Sequence, residues 1–155
     1  MISHFFFQNC VDVLQNGIQH IGSADLGLKP SHNFAHGSRI NLDEGTITVF
    51  VQRAFCESVV KNSETVKRAV FYSALVSHEA YQVKGNVTDV GPISEEDVQA
   101  SQKYCQSIIQ ILSEFGLPPE NTRKIFGRVA DTAITIELEQ IFNQTPGPQA
   151  GKPIS

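Results

Sequence analysis

The spacing of apolar residues along the chain predicts a mainly helical fold with a little strand. Apolar side chains recur at helical spacing over residues 2–21, and Gly22 is a natural stop for this first helix. Residues 45–52 then alternate between apolar and polar, which predicts a strand. A weaker alternating segment at 39–42, joined to it by the turn residues 43–45, makes this strand part of a small hairpin.

Four more helices are predicted after the hairpin, over residues 54–61, 63–84, 95–115 and 119–143. Ser94 is placed to cap the fourth helix, and Pro119 occupies the first turn of the last one. The fold class is therefore mainly α, an α+β chain with about five helices and one strand or hairpin inserted after the first helix. We expect one globular domain over residues 1–144. Residues 145–155, with three prolines and two glycines, are expected to form a flexible tail.

Composition and charge narrow the classes of partner. The 155 residues are 41% hydrophobic and 18% charged, with a formal net charge of -4 and no basic stripe. This argues against nucleic acid and against an anionic membrane surface as partners. Three widely spaced cysteines without a Cys-x-x-Cys pair are typical of buried thiols in a reducing compartment. The sequence therefore predicts a cytoplasmic protein.

The strongest chemical motif is the dipeptide His78-Glu79, which follows an apolar run over residues 69–76. The run predicts a buried helix, where an imidazole and a carboxylate need a hydrogen-bond partner, a proton or a metal. Residues four apart share a helix face, so His78 and Gln82 would point the same way. Gln82 stands where a His-Glu-x-x-His zinc motif has its second histidine, and an amide is a poor zinc ligand.

The order of strand, short helix, His-Glu helix and Glu-rich helix over residues 41–126 resembles the core of zinc metallopeptidases of the gluzincin type, in a degenerate zincin-like form. The resemblance implies that His78 is a zinc ligand and Glu79 the general base. It also implies that Glu95 or Glu96 supplies the third ligand. The second histidine ligand of that family has no counterpart here.

Two other interpretations stay open for the histidines. His78 is alternatively a core histidine bonded to a backbone carbonyl, with Glu79 on the polar edge of the helix. His32 and His36 would share a face if their segment were helical, and with His78 they could complete a metal site. Flanking Pro30 and Gly37 favour a loop instead, with two exposed histidines.

The last predicted helix is apolar on more than one side, so one side is left for a partner or a second copy. Ile136 and Phe142 are the candidate interaction residues. Its apolar residues are Ile134, Ile136, Leu138, Ile141 and Phe142. Because Gln82 weakens the zinc site, the sequence favours a non-enzymatic domain that acts through protein–protein interaction or self-association. The alternative is a zinc-dependent, peptidase-like hydrolase that uses His78 and Glu79, with zinc as its cofactor.

Overall fold

One antiparallel sheet of eight strands organises the molecule. The computed structural model describes the backbone of residues 4–154 and the side chains of residues 7–154. Strands make up 38% of the chain, and four helices accompany them over the described residues. The prediction of a mainly helical fold with about five helices is therefore wrong.

The helices and strands have the following bounds. In chain order they are α1 (His4–Asn16), β1 (Ile18–Ala24), β2 (Pro30–Phe34), β3 (Ser38–Asn41), β4 (Thr46–Val51), α2 (Glu57–Thr65), β5 (Arg68–Ala74), β6 (Ala80–Pro92), α3 (Glu95–Glu114), α4 (Pro119–Phe126), β7 (Thr132–Asn143) and β8 (Pro153–Ile154). The strand order across the sheet is β2-β1-β5-β6-β7-β4-β3, and β8 pairs with β7.

Two register shifts interrupt the long pairing of β6 with β7. Lys84 pairs with Gln140 and Gly85 with Leu138, so Glu139 is an extra residue on β7. Val87 pairs with Ile136 and Asp89 with Thr135, so the other extra residue lies on β6. Such bulges bend a strand and change the direction of a side chain.

The main core lies on the inner face of the sheet, beneath α1 and α2. Along β5 the residues alternate between buried and partly exposed, and Phe71 is fully buried. The helices add Phe7 and Leu14 from α1 and Val59 from α2. A smaller core joins α3 to α4. The strands are thus buried on one face, and the helices leave part of the other face open.

The segment predicted to be the buried helix of the His-Glu motif is a β-hairpin. Residues 68–74 form β5, residues 75–79 form the turn, and β6 begins at Ala80. The apolar run over residues 69–76 was predicted to be a helix because both faces of β5 carry apolar or small residues, so the alternation typical of a strand is absent. The inner set is Ala69, Phe71 and Ser73, and the outer set includes Val70 and Tyr72.

The first and last predicted helices are each cut short by a strand. The first helix was predicted over residues 2–21, but α1 ends at Asn16 and β1 begins at Ile18. Residues 2 and 3 of that prediction lie outside the described residues. The last helix ends at Phe126, and β7 follows. The predicted hairpin of β3 with β4 is confirmed. The predicted helix α3 is also confirmed, and Ser94 caps it as expected, because Ser94 Oγ accepts a hydrogen bond from the Asp97 backbone N–H at 3.1 Å. Among the described residues, no helix has the length and hydropathy needed to cross a membrane.

Candidate functional site

The residues of the predicted zinc site do not form a metal-ligating cluster in the described part of the chain. His78 and Glu79 are exposed in the turn between β5 and β6, where His78 has a φ of 73°. Glu95 and Glu96 are exposed in the first turn of α3. Among the side chains of residues 7–154, no three His, Cys, Asp or Glu groups come together in a way that could hold a metal ion.

The two histidines considered together in the sequence, His32 and His36, have separate environments. His36 follows β2 and is fully buried, with Nε2 2.9 Å from the backbone oxygen of Ile125. The Ser101 hydroxyl donates to the backbone oxygen of His36. Burial lowers the pKa of His36, and the nearby Arg128 lowers it further, although the bond to Ile125 acts in the opposite direction. His36 therefore joins β2 to the α3–α4 pair, whereas His32 lies on the open face of the sheet.

The two candidate interaction residues, Ile136 and Phe142, lie on β7 and not on a helix. Ile136 is fully buried in the main core. Phe142 is partly exposed and pairs with Gln82 on β6. Of the two, Phe142 is the one that a partner could reach.

A groove of about 640 Å³ lies on the open face of β2, β1, β5 and β6, and we call it the outer-face groove. The strand register places its side chains in two rows that cross the sheet. The first row is His32, Gly22, Val70 and Lys84. The second row is His20, Tyr72 and Gln82, and Phe34, which pairs with His20, packs into the smaller core instead. The volume of the outer-face groove is within the usual range for small-molecule sites.

The hollow in the first row is at Gly22. A Cβ atom on Gly22 would meet only the backbone oxygen of Ser31, at 3.5 Å, which is ordinary van der Waals contact. The fold therefore tolerates a side chain at this position, yet none is present. Because Gly22 lies between His32 and Val70, its missing side chain leaves a low apolar floor in the middle of the groove.

Two basic side chains form what we call the cationic end of the groove. The Arg68 guanidinium lies 2.7 Å from Glu139 Oε2 and 2.7 Å from Asn86 Oδ1. The extra residue of β7 is this same Glu139, so the bulge accounts for its position. Lys84 Nζ lies 4.7 Å from the centroid of the Phe142 ring. Among the residues the structure describes, Lys84 has no carboxylate within salt-bridge distance, which leaves its charge available to an anion.

His20 and His32 form the opposite, imidazole end. His20 Nδ1 and His32 Nε2 are 2.8 Å apart, and the rings are 19° from parallel. The 4.9 Å between the centroids is close to the sum of the N–N distance and the two ring radii, so the rings meet edge to edge in an N–H···N bond. The rings of Phe34 and Tyr72 also lie against His20. Burial lowers the pKa of His20 to about 4, and the charge of His32 adds to this effect.

The groove therefore combines an apolar floor, a cationic end and an imidazole end. It can hold a flat ring that carries an anionic group. The sequence pointed to two groove residues for other reasons, His32 as a possible metal ligand and Gln82 in place of a zinc ligand, and most of the others were placed on predicted helices. Strand β5 gave no signal in the sequence, because apolar or small residues on both of its faces hide the period of two that marks a strand.

Fold comparisons agree with this architecture. No protein-family model matches the chain, and no curated protein matches it. HupZ of Group A Streptococcus has a similar fold, with a TM-score of 0.58 and 18% identity over 97% of this chain and 100% of that one. An FMN-binding protein of Syntrophomonas wolfei has a TM-score of 0.56 and 11% identity, over 97% of this chain and 90% of that one. A putative pyridoxamine 5′-phosphate oxidase of Lactobacillus delbrueckii has a TM-score of 0.54 and 13% identity, over 87% of this chain and 91% of that one.

These neighbours share a split-barrel fold, and at such low identities the likeness is one of fold alone. The resemblance to a zincin metallopeptidase is wrong, because the helix that carries the zinc motif in that family is a β-hairpin here. The hypothesis of a helical protein-interaction domain and its zinc-hydrolase alternative are wrong for the same reason. The expectation of a metal-binding site lacks support among the described residues.

Proposed function

We propose that the chain binds flavin mononucleotide, a flat heteroaromatic cofactor with a phosphorylated side chain, in the outer-face groove. The observation that carries the proposal is the hollow at Gly22 between a cationic end and an imidazole end. Two fold neighbours, an FMN-binding protein and a putative pyridoxamine 5′-phosphate oxidase, support the same class of ligand.

The length and chemistry of the groove fit this ligand. His32 on β2 and Lys84 on β6 are separated by three strand spacings, or about 14 Å of sheet. The floor at Gly22 and Val70 is apolar and low enough for a ring to lie on it. Lys84 is the principal candidate for the phosphate, with Arg68 as a second donor. Charge-assisted hydrogen bonds of this kind are about twice as strong as neutral ones.

Each part of the groove has a separate role in binding. The rings of His20 and Tyr72 form one wall, and Gln82 is held by a hydrogen bond from the Gln144 amide at 3.2 Å. These groups orient a ring and exclude water from one of its faces. When bound, a flavin would supply hydride and electron transfer. An oxidoreductase role follows from the binding proposal.

Substitution at Gly22 tests the site directly. Gly22→Val should fold normally but abolish binding of FMN, because the new side chain occupies the floor where the ring lies. Gly91→Val is the matched control: Gly91 is also on a strand, and its Cβ would likewise meet one oxygen, of Asp89, at 3.5 Å. The measurement is titration of each purified variant with FMN, followed by flavin fluorescence and visible absorbance. Equal affinity in both variants would remove the groove from the proposal.

The cationic end is tested by comparing two ligands. Lys84→Ala should weaken FMN binding about tenfold, the effect of losing one charge-assisted contact. Binding of riboflavin, which lacks the phosphate, should change little. Lys103→Ala, an exposed lysine on α3, is the control. Failure of the wild-type chain to bind FMN, or preferential binding of an iron tetrapyrrole that excludes FMN, would overturn the proposal.

We also propose that a second copy of the chain covers the open side of the groove. A ring resting on the sheet leaves its other face in water, whereas small-molecule sites bury most of the ligand surface. The partly exposed Phe142 adjoins the groove next to Lys84. Phe142→Glu should therefore shift a dimer toward monomer in sedimentation analysis. A wild-type chain that stays monomeric with FMN at all accessible concentrations would contradict self-association.

The three thiols fit a reducing compartment, in which we place the protein. Cys10, Cys56 and Cys105 are free and buried. The proposal predicts that a tagged chain expressed in its native host is recovered in the cytoplasmic fraction.

A further inference from the structure

The guanidinium of Arg68 is held by two neighbouring side chains through a single nitrogen. Its Nη1 atom lies 2.7 Å from Asn86 Oδ1 and 2.7 Å from Glu139 Oε2. The Asn86 amide in turn donates to Glu139 Oε1 at 2.6 Å, so the three side chains form a closed triangle. The Asn86 oxygen must face the guanidinium and its nitrogen the carboxylate, because only that arrangement matches donors with acceptors. A closed network holds a half-exposed arginine more firmly than an isolated ion pair does.

Two other arginines in the described part of the chain form salt bridges, and they use the guanidinium differently. Arg39 directs Nε and Nη2, the side-on edge of the guanidinium, to the two carboxylate oxygens of Asp97 at 3.1 and 3.0 Å. Arg53 uses Nη2 for its carboxylate partner. In Arg68 the side-on edge has no hydrogen-bond partner among the residues that the structure describes, because both of its contacts are made by Nη1. Two parallel N–H groups of this kind can bind two oxygens of one phosphate.

This free edge belongs to a side chain that lines the outer-face groove. Arg68 pairs directly with Asn86 across β5 and β6, and Lys84 is the diagonal neighbour of Arg68 on the same face. Diagonal neighbours in an antiparallel pair lie about 7–8 Å apart, so two long side chains can contact one anion. A phosphate monoester has three terminal oxygens, two for the guanidinium and one for the ammonium group of Lys84.

Resting on the proposed function, we propose that Asn86 is a positioning residue for the phosphate of the ligand. Together with Glu139, it fixes the Arg68 guanidinium so that Nε–H and Nη2–H form a bidentate fork in the groove. Glu139 reaches the triangle because it is the extra residue of the β7 bulge. An unanchored arginine loses side-chain freedom when it binds an anion, whereas this arginine is already ordered before the ligand arrives. Asn86 is neutral, so it orders the fork without placing another charge beside the phosphate.

Substitution of Asn86 by alanine tests the positioning role, with riboflavin as the internal reference. Asn86→Ala should weaken FMN binding about threefold, the effect of losing one neutral hydrogen bond. Riboflavin binding should stay unchanged, because riboflavin lacks the phosphate. Titration followed by flavin fluorescence measures both affinities. Thr88→Ala, at an exposed position two residues further along β6, is the control for a general disturbance of the strand and should keep the wild-type affinity for both ligands.

A double-mutant cycle shows whether Asn86 acts through Arg68. Arg68→Lys keeps the positive charge but removes the fork, and it should weaken FMN binding about tenfold. In that background, Asn86→Ala should leave the ratio of FMN to riboflavin affinity unchanged. A role of Asn86 that is independent of the fork would instead give the same loss in both backgrounds.

Nuclear magnetic resonance of the ligand-free chain checks the anchoring separately. Rotation of the Arg68 guanidinium about its C–N bonds should be slow in the wild type, because Nη1 is held by two acceptors, and faster in Asn86→Ala. Arg123, an exposed arginine on α4, provides the reference for an unanchored guanidinium. Rotation of Arg68 as fast as that of Arg123 in the wild type would overturn the inference.

The outcomes separate this inference from the proposed function. Unchanged FMN affinity in Asn86→Ala, or an equal loss for FMN and riboflavin, would overturn the positioning role and leave the proposed function standing. The same holds if Asn86→Ala weakens FMN binding equally with arginine or lysine at position 68. A wild-type chain that does not bind FMN would overturn both.

Discussion

The two faces of strands β1, β5 and β6 differ sharply although the same short strands supply both. On the inner face, Ile21, Phe71 and Val83 are fully buried in the main core. On the outer face, His20, Tyr72 and Lys84 are partly exposed and border the groove. Because successive side chains of a strand point to opposite faces, adjacent residues take on unrelated tasks. One face provides the free energy of folding, and the other is free to carry polar and charged groups for a ligand.

The neighbours Phe71 and Tyr72 should show the largest contrast in stability. Phe71→Ala removes a fully buried ring and should lower the free energy of unfolding by about 3–5 kcal/mol. Tyr72→Ala, on the half-exposed face, should cost less than about 1.5 kcal/mol. Urea unfolding followed by circular dichroism measures both. Equal losses would show that the outer face is as tightly packed as the inner one.

The glycines Gly85 and Gly22 should show the next largest contrast. A Cβ on Gly85 would lie 1.9 Å from the backbone oxygen of Glu137, so Gly85→Ala must displace β6 from β7. We expect a loss of about 2–3 kcal/mol. Gly22→Ala has space for its Cβ and should leave stability within about 0.5 kcal/mol of the wild type. Thermal unfolding of the two variants side by side is the measurement, and a larger loss for Gly22→Ala would contradict the assigned faces.

Stability should decline with acid because two histidines resist protonation in the folded state. Burial lowers the pKa of His36, and it lowers that of His20 to about 4, from an ordinary value of 6.5. A group with a lowered folded pKa contributes stability that is fully present above pH 6.5 and is lost as the pH falls through the folded pKa. Urea midpoints between pH 7.5 and pH 4 should therefore fall steadily.

The variant His36→Gln separates this effect from the protonation of carboxylates. It keeps an amide that can bond the Ile125 oxygen but removes the titration, so its midpoints should fall less steeply than those of the wild type. His78→Gln, in the exposed turn, should follow the wild-type curve. Parallel curves for His36→Gln and the wild type would assign the acid sensitivity to other groups.

The smallest expected effect concerns the three buried thiols, two in the main core and one in the smaller core of α3 and α4. Burial raises the pKa of Cys10 and Cys56 to about 11 and that of Cys105 to about 12. Since the thiolate is the reactive form, alkylation by iodoacetamide at pH 8 should be slow in the folded chain and fast in urea. Mass spectrometry at timed intervals measures the rates. Rapid modification of one cysteine in the native chain would show that its side of the core opens locally.

Local signals in the sequence were sufficient for some elements. The alternation at Ile47, Val49 and Val51 marked β4, and the turn residues before it marked its hairpin with β3. Ser94 and the acidic first turn marked the start of α3. In each case the evidence lies within a few residues, because capping bonds and hairpin turns are formed by near neighbours.

The strands of the groove could not be read in the same way. Arg68 to Ala74 carries apolar residues on both faces, because its outer face adjoins the groove, and this hides the period of two that marks a strand. Strand β7, outside the groove, did show the period of two at Ile134, Ile136 and Leu138. The sequence analysis nevertheless predicted a helix there and assigned Ile136 to a partner surface. Neighbouring strands in the sheet settle such cases, and they come from distant parts of the chain.

The sequence by itself determined the residue types available for chemistry and the local starts of β4 and α3. Only the tertiary structure decided which residues meet. His20 and His32 join through the pairing of β1 with β2, and Lys84 reaches the same groove through the pairing of β5 with β6. The conspicuous His78-Glu79 lies in an exposed turn instead. The physical reason is that register between strands is set by burial of the whole inner face, which no single segment encodes.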